Sequence, residues 1–326
     1  MIITRTPFRI SFVGGGSDLP AFYKQHGGAV LSTTINKYMY ISSHKYFEAD
    51  KIRVKYSKTE TVNSIDDLQH PIFREALKKF QINGGIEFSS IADVPAGTGM
   101  GSSSSFTVGL LQNIYATKNQ LISKEKLADE ACQMEIDILK EPIGKQDQYA
   151  AAYGGLNVMK FHSDDTVTVE NLYINTEEKR KLEENLVLFY TGQQRKANKI
   201  LAEQTAHSQR PDKVKVLREM TQLVDELKNA LLKNDFEDFG KLLNINWELK
   251  KSLTDKITNR EINEAYELAL KHGAWGGKLL GAGGGGFLLF MCPKEKQSEL
   301  SQALGLRSFD FKFDEEGSKV IYFADE

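Results

Sequence analysis

Residues 95 to 105 read Pro95-Ala-Gly-Thr-Gly-Met-Gly-Ser-Ser-Ser-Ser105, and they connect an apolar stretch (86–91) to a segment of helical period (106–114). Glycine lets the backbone come close to a ligand and adopt a positive φ. The start of a helix offers unpaired N–H groups and the positive end of its dipole. We therefore predict a phosphate-binding loop. The alternative, a flexible Gly/Ser linker, fits less well because apolar segments flank it directly.

Two familiar nucleotide motifs do not account for this chain. A Walker A loop ends in Gly-Lys-Ser/Thr, and that tripeptide occurs nowhere in the 326 residues. A second glycine segment, Gly281-Ala-Gly-Gly-Gly-Gly286, formally matches the dinucleotide fingerprint but precedes a predicted strand instead of following one. Nucleotide binding therefore requires another fold. Four successive glycines still indicate a close approach to a ligand or another loop, and a tight structural turn is the alternative.

A third glycine segment, Gly14-Gly-Gly-Ser-Asp18, follows a β-branched stretch that contains Arg9. Taken alone, it is explained equally well as a turn in which Asp18 caps the backbone. Arg9 alone could be a solvated side chain. Both residues become informative only together with the other glycine segments.

Two carboxylates, Glu135 and Asp147, stand twelve positions apart, and small residues follow Asp147. Phosphoryl transfer needs cationic neutralisation, Mg²⁺ and a group that handles the hydroxyl proton. Mg²⁺ takes one or two oxygen ligands from protein, with phosphates and waters completing its shell. A serine of the phosphate-binding loop and one glutamate would suit it. The alternative for each carboxylate is a solvated helix residue.

The composition limits the class of protein. With 26 % charged and 40 % hydrophobic residues, the chain fits a soluble globular protein. A formal net charge of −2 gives no support for nucleic-acid or membrane-surface binding. We see no signal peptide, no membrane span, and only two distant cysteines, Cys132 and Cys292, which read as buried small hydrophobes. These points favour the cytoplasm.

Strand and helix patterns occur in runs without strict alternation, which favours an α+β architecture. We predict strands at 2–13, 35–44, 52–56, 86–91, 156–161, 186–191, 287–291, 309–313 and 319–323. Predicted helices cover 66–80, the segment after Ser105, 123–140, the region 217–231 and 260–271. The length suggests two domains, with the boundary in the polar stretch 175–185.

Three segments together, in this order, resemble the GHMP kinases, the family of galactokinase, homoserine kinase, mevalonate kinase and phosphomevalonate kinase. They are residues 5–18, residues 95–105 and Lys278-Leu-Leu-Gly-Ala-Gly-Gly-Gly-Gly-Phe287. Met100 stands where the family usually has leucine. The resemblance covers nearly the whole chain, and the set of motifs is far more specific than any one of them.

The resemblance implies the GHMP kinase fold. This has an N-terminal ribosomal-protein-like α+β domain (1–180), which binds ATP, and a C-terminal ferredoxin-like α+β domain (181–326), with the site in the cleft. It also implies roles for individual residues, with Asp147 and Arg9 catalytic and Ser103 and Glu135 on Mg²⁺. The residues implied for ATP are Pro95, Gly97, Gly99, Met100, Gly101, Ser102, Ser103 and Ser104. The residues implied for the acceptor are Gly15, Gly16, Ser17, Asp18, Arg195, Gly283 and Gly284.

Within the family, the Gly-Gly-Gly-Ser-Asp variant at 14–18 resembles the kinases of D-glycero-D-manno-heptose 7-phosphate, and the galactokinase signature Gly-Glu-His-Thr-Asp is absent. The resemblance implies phosphorylation of the anomeric hydroxyl by ATP. A substrate phosphate needs cationic partners, for which Arg195, Lys196 and Lys199 are candidates, and a solvated basic turn is the alternative. The alternatives are a fucokinase- or galactokinase-like enzyme for an unphosphorylated sugar, a sensor without catalysis, and an RNA-binding module. We expect a sugar or sugar-phosphate and ATP as ligands, no nucleic acid or membrane partner, and a homodimer as one open assembly.

Overall fold

The structure, a computed structural model, describes residues 1–193 and 197–324. Arg195 and Lys196 therefore lie outside the described residues. The strands are β1 (Ile2–Val13), β2 (Gly28–Lys45), β3 (Ile52–Lys55), β4 (Thr59–Val62), β5 (Ile86–Ala92), β6 (Leu156–Phe161), β7 (Val167–Asn171), β8 (Leu186–Tyr190), β9 (Gly276–Leu279), β10 (Phe287–Met291), β11 (Arg307–Phe309), β12 (Phe313–Asp314) and β13 (Lys319–Phe323).

The helices follow the same chain order. They are α1 (Pro20–His26), α2 (Pro71–Lys79), α3 (Ser102–Thr117), α4 (Lys124–Cys132), α5 (Gln146–Tyr153), α6 (Thr176–Asn185), α7 (Ala197–His207), α8 (Pro211–Leu232), α9 (Phe236–Lys251), α10 (Arg260–Lys271) and α11 (Gln297–Leu304). Two 3₁₀ turns (Ile65–Asp67 and Lys294–Lys296) and a π-helical turn (Gln133–Ile138) complete the described elements.

Two sheets organise the chain. The first runs β13-β1-β2-β5-β3-β4, with β12 and β6 also paired to the long strand β2 and β7 paired to β6. The second is antiparallel in the order β11-β8-β10-β9. Because β12 and β13 pair with β2 and β1, the end of the chain returns to the first sheet.

Strand β1 is buried along most of its length instead of alternating, because helices cover both of its faces. Helices α3, α5, α8 and α9 all contact it. The Phe12 and Phe239 rings meet edge to face with centroids 5.3 Å apart. This packing fixes β1, which carries Arg9 and Ser11, between the two halves of the molecule.

Most predicted elements are present, and the predicted α+β class is confirmed. Helix 260–271 and strands 2–13, 156–161, 287–291 and 319–323 have the predicted bounds. Ser123 caps α4 as predicted, since its hydroxyl accepts a hydrogen bond from the Lys126 N–H. In the described residues, no helix combines the length and the apolar character needed to cross a membrane.

Several predicted bounds were wrong. The predicted helix 123–140 ends as an α-helix at Cys132 and continues as the π-helical turn. The predicted helix 66–80 begins only at Pro71, since proline fits the first helical turn. The predicted strand 309–313 is two short strands with a break between them.

The polar stretch 175–185 was interpreted as a connection, but it forms α6. Its capping box pairs the Asn175 side chain with the Glu178 N–H and the Glu178 carboxylate with the Asn175 N–H. The division at 180/181 stays a prediction, and it would fall inside this helix.

Candidate active site

A cavity of about 1230 Å³ lies between the first sheet and the C-terminal helices, and all three glycine segments reach it. The glycine segment 281–286 touches the phosphate-binding loop, since a Cβ at Gly281 would lie 2.4 Å from Gly99 Cα. The predicted site residues that line this cavity are Arg9, Gly15, Gly16, Asp18, Pro95, Gly97, Gly99, Gly101, Ser102, Ser103, Ser104 and Asp147. Segments more than 100 residues apart in sequence therefore form one site.

The phosphate-binding loop has the backbone that its glycines suggested. Gly97, Gly99 and Gly101 have φ of +77°, +82° and +75°, and α3 begins immediately after Gly101. The first-turn N–H groups of a helix have no partner within the helix, so they are free to bind an anion. Met100 differs, because its side chain is buried in the apolar core and only its carbonyl participates, accepting from the Arg9 N–H at 3.1 Å.

Ser103 and Glu135, the predicted metal ligands, are in direct contact. The Ser103 hydroxyl donates to Glu135 Oε1 at 2.7 Å, and Gln148 Nε2 donates to Oε2 at 2.7 Å. Burial raises the pKa of Glu135, while the hydrogen bonds from these side chains lower it. The π-helical turn, which widens the helix locally, carries Glu135 toward the start of α3.

This pair offers only oxygen ligands, which is the chemistry that Mg²⁺ prefers. In the chain as described, no group of three or more His, Cys, Asp or Glu side chains could hold a metal by itself. Mg²⁺ in nucleotide sites commonly takes one or two protein ligands and completes its shell with phosphates and waters. The residues present therefore fit Mg²⁺ bound together with a nucleotide.

Arg9 and Asp147, which both line the cavity, form a two-pronged ion pair. Arg9 Nε donates to Oδ1 at 2.7 Å and Nη2 donates to Oδ2 at 2.8 Å, while Nη1 donates to the Gly99 carbonyl at 2.5 Å. A Cβ at Gly101 would lie 3.2 Å from Asp147 Oδ2 and 3.3 Å from Arg9 Cγ. The glycine thus leaves room for the pair, and the pair fixes the loop.

Asp18 is the second carboxylate of the cavity and is almost fully buried. The Gly16 N–H donates to Oδ1 at 2.9 Å and the Gln146 N–H donates to Oδ2 at 3.3 Å. Burial raises the pKa of Asp18, and the charge of Asp147 raises it further. A Cβ at Gly144 would lie 2.0 Å from Asp18 Oδ2, so this position requires glycine.

Three of the predicted acceptor residues face away from the cavity as the structure describes it. The Ser17 hydroxyl bridges the backbone of Gly14 and Ala29, which fixes the glycine segment 14–18 to β2. The Gly284 N–H donates to the Ile257 carbonyl, and a Cβ at Gly283 would lie 2.6 Å from that oxygen. Gly281 and Ala282 line the cavity in their place.

Sequence reasoning assigned no role to four polar residues that take part in the site. Gln148 orients Glu135, and the buried side chains of Ser11, Lys250 and Lys278 line the cavity. Lys278 precedes the glycine segment 281–286 and Gln148 follows Asp147 directly, so both stood inside recognised motifs. Lys250 carried no local signal.

Two models of known protein domains match this chain. The model of the GHMP kinase N-terminal domain matches residues 70–155, and that of the C-terminal domain matches residues 223–309. A D-glycero-alpha-D-manno-heptose 7-phosphate kinase of Campylobacter jejuni is 30 % identical, with 98 % of each chain covered. The chain belongs to the GHMP kinase family. The predicted membership of this family and the predicted class of enzyme, a phosphotransferase, are confirmed.

Other relatives agree with this assignment. A crystal structure described as a D-glycero-D-manno-heptose 1-phosphate kinase from Bacteroides thetaiotaomicron covers 100 % of both chains, with a TM-score of 0.81 and 25 % identity. A galactokinase of Pyrococcus furiosus is 25 % identical over 99 % of this GHMP kinase and 97 % of its own length. These relatives support a sugar acceptor. The roles of individual site residues stay predictions.

Proposed function

We propose that this GHMP kinase transfers the γ-phosphoryl group of ATP to the anomeric hydroxyl of D-glycero-D-manno-heptose 7-phosphate, giving heptose 1,7-bisphosphate. The observation that carries the proposal is the single cavity in which the phosphate-binding loop adjoins the Arg9–Asp147 pair and Asp18. The Campylobacter jejuni relative supports the heptose phosphate as the acceptor. A kinase of an unphosphorylated sugar is the second candidate, favoured by the galactokinase match.

In this proposal the phosphate-binding loop holds the β- and γ-phosphates of ATP. The N–H groups at the start of α3 and the loop glycines supply donors without a charge of their own. Tyr56, His70 and Phe106 also line the cavity, with ring centroids of neighbouring pairs 4.7 and 4.9 Å apart. This aromatic wall suits stacking of a purine base.

Ser103 and Glu135 would hold Mg²⁺, which neutralises phosphate charge when it is bound. At the acceptor, Asp18 would fix the sugar by accepting a hydrogen bond from one of its hydroxyls. Asp147 would orient the anomeric hydroxyl and accept its proton, and Arg9 would stabilise charge on the transferring group. An anomeric hydroxyl is more acidic than an ordinary alcohol, so a carboxylate suffices as the base.

Glu135→Gln is expected to raise the Mg²⁺ concentration needed for half-maximal activity and to lower kcat. The amide can still accept from Ser103, and Gln148 can turn its amide to match, so folding should be nearly intact. The measurement is kcat as a function of free Mg²⁺, with the exposed Glu125→Gln as the matched control. Unchanged Mg²⁺ dependence would remove Glu135 from the metal site.

The acceptor is tested by ADP release from heptose 7-phosphate, free heptose, fucose and galactose. A charged hydrogen bond contributes about 1.5–3 kcal/mol, so the phosphorylated sugar should be preferred by about tenfold or more in kcat/KM. If Arg195 binds the phosphate of the sugar, Arg195→Ala should raise the KM for heptose 7-phosphate by a similar factor. Equal rates with and without the sugar phosphate would contradict the proposal and favour a fucokinase-like enzyme.

A further inference from the structure

Two lysines with buried side chains line the cavity near the Arg9–Asp147 pair. Lys250 at the end of α9 is 5 % exposed, and Lys278 in β9 is 1 % exposed. Lys250 Nζ donates to the Gly281 carbonyl, and Lys278 Nζ donates to the Phe12 carbonyl at 2.7 Å. Neither forms an ion pair within the residues that the structure describes. Both amino groups are therefore withdrawn from water without a counter-ion.

The surrounding charges do not balance this pair. Burial lowers the pKa of Lys250 and the charge of Arg9 acts in the same direction, while Asp18 and Asp147 raise it, which leaves the pKa at about 8. Burial lowers the pKa of Lys278 well below its usual value, and Lys250 and Arg9 act in the same direction. An ammonium group has three N–H donors, so each lysine keeps two beyond its carbonyl. An anion would satisfy these donors and restore the charged state.

A third donor, Ser11, also lines the cavity and stands next to Phe12, whose carbonyl accepts from Lys278. Ser11 is 4 % exposed and its hydroxyl has no hydrogen-bond partner in the described part of the chain. A Cβ at Gly15 would lie 3.7 Å from both Ser11 Oγ and Gln146 Nε2, so these side chains border one space. A buried hydroxyl without a partner is costly, and a ligand oxygen would satisfy it.

We propose that Lys250, Lys278 and Ser11 form an anion subsite that binds one phosphate dianion of the reactants. Two ammonium groups and a hydroxyl match the charge and the several oxygens of such a group. The inference rests on the proposed kinase reaction, which offers two such groups. One is the phosphate already present on the sugar, and the other is the γ-phosphoryl group of ATP. These residues are distinct from those of the phosphate-binding loop.

Calorimetric titration with inorganic phosphate tests the subsite on protein saturated with Mg–ADP, whose own phosphates occupy the phosphate-binding loop. Lys250→Met and Lys278→Met should each weaken phosphate binding by about tenfold or more. Lys250→Arg should retain most of the affinity. Lys241→Met, an exposed position on the same helix, should bind phosphate as the wild type does. Wild-type affinity in both methionine variants of the buried lysines would overturn the proposal.

Thermal unfolding separates this role from a structural one. If the lysines served only to hold the Gly281 and Phe12 carbonyls, methionine would lower Tm. We expect Tm to stay level or rise, because methionine removes a buried charge that lacks a counter-ion. Phosphate binding to the wild type at pH 8 should also take up protons, seen as different heats in two buffers of unequal ionisation enthalpy. Absence of proton uptake would contradict the subsite.

A second titration identifies which phosphate occupies the subsite. A non-hydrolysable ATP analogue replaces Mg–ADP, so that a γ-phosphate is already present. Phosphate binding that persists and still depends on Lys250 assigns the subsite to the phosphate on the sugar. Loss of phosphate binding assigns it to the γ-phosphoryl group. If the wild type fails to phosphorylate heptose 7-phosphate but the lysine variants lose phosphate binding, the subsite stands and the heptose assignment fails.

Discussion

Asp147→Asn is expected to lower kcat by about 10²–10⁴-fold, the usual contribution of general acid–base catalysis. Arg9 donates to both oxygens of the Asp147 carboxylate, but a carboxylate has about four acceptor positions. The remaining ones are available to an acceptor hydroxyl in the cavity. Asparagine keeps the shape but lacks the basic oxygen, and its amide would set an N–H against a donor of Arg9.

The measurement is steady-state kcat, with ATP affinity from calorimetry as the test of an intact nucleotide site. ATP affinity should be almost unchanged, since Arg9 keeps its hydrogen bond to the Gly99 carbonyl of the phosphate-binding loop in this variant. Asp255→Asn, an exposed position, serves as the matched control. Full activity in Asp147→Asn would show that the base assignment is wrong and would direct the search to Asp18.

The central pairs of the site could be predicted from the sequence because the motifs carried them together. The sequence separates Arg9 from Asp147 by 138 residues and Ser103 from Glu135 by 32, yet the structure joins each pair through hydrogen bonds. Local patterns alone left every one of these residues open to a solvated or turn role. Strand and helix bounds were predictable where β-branched or amphipathic segments ended in clear breakers, as at 260–271 and 287–291.

The features that were missed depend on contacts between distant segments. Lys250 looks like an ordinary cation at a helix end, and only the packing of α9 against β9 turns it into the cavity. The glycines at 283 and 284 suggested a ligand, but their neighbour is the backbone of Ile257. Helical periodicity in the sequence cannot distinguish a π-helical turn, which holds an extra residue, from a regular α-helix. The pairing of β13 with β1 joins the two ends of the described chain and leaves no signal in the local sequence of either strand.

Arg9→Ala is expected to have the second large effect, on both stability and catalysis. Removing one partner of a buried ion pair costs about 3–5 kcal/mol, and the partial exposure of Asp147 places the expected loss near the lower end. The Gly99 carbonyl also loses its donor, which loosens the phosphate-binding loop. Removal of a cation that stabilises developing charge should lower kcat by about 10²–10³-fold. Arg9→Lys keeps the charge but loses the two-pronged contact, and should fall between wild type and Arg9→Ala.

The double variant tests whether Arg9 and Asp147 act as one unit. Each touches the other directly, so each single substitution already disturbs the partner's contribution to the same step. The combined loss of kcat should therefore be smaller than the product of the two single losses. The measurement is kcat of wild type, both single variants and the double variant at saturating ATP, with unfolding in denaturant to confirm that each remains folded. A double loss equal to the product would mean that the two residues serve separate steps. Arg9 would then be assigned to the phosphate-binding loop through Gly99, and not to the reacting hydroxyl.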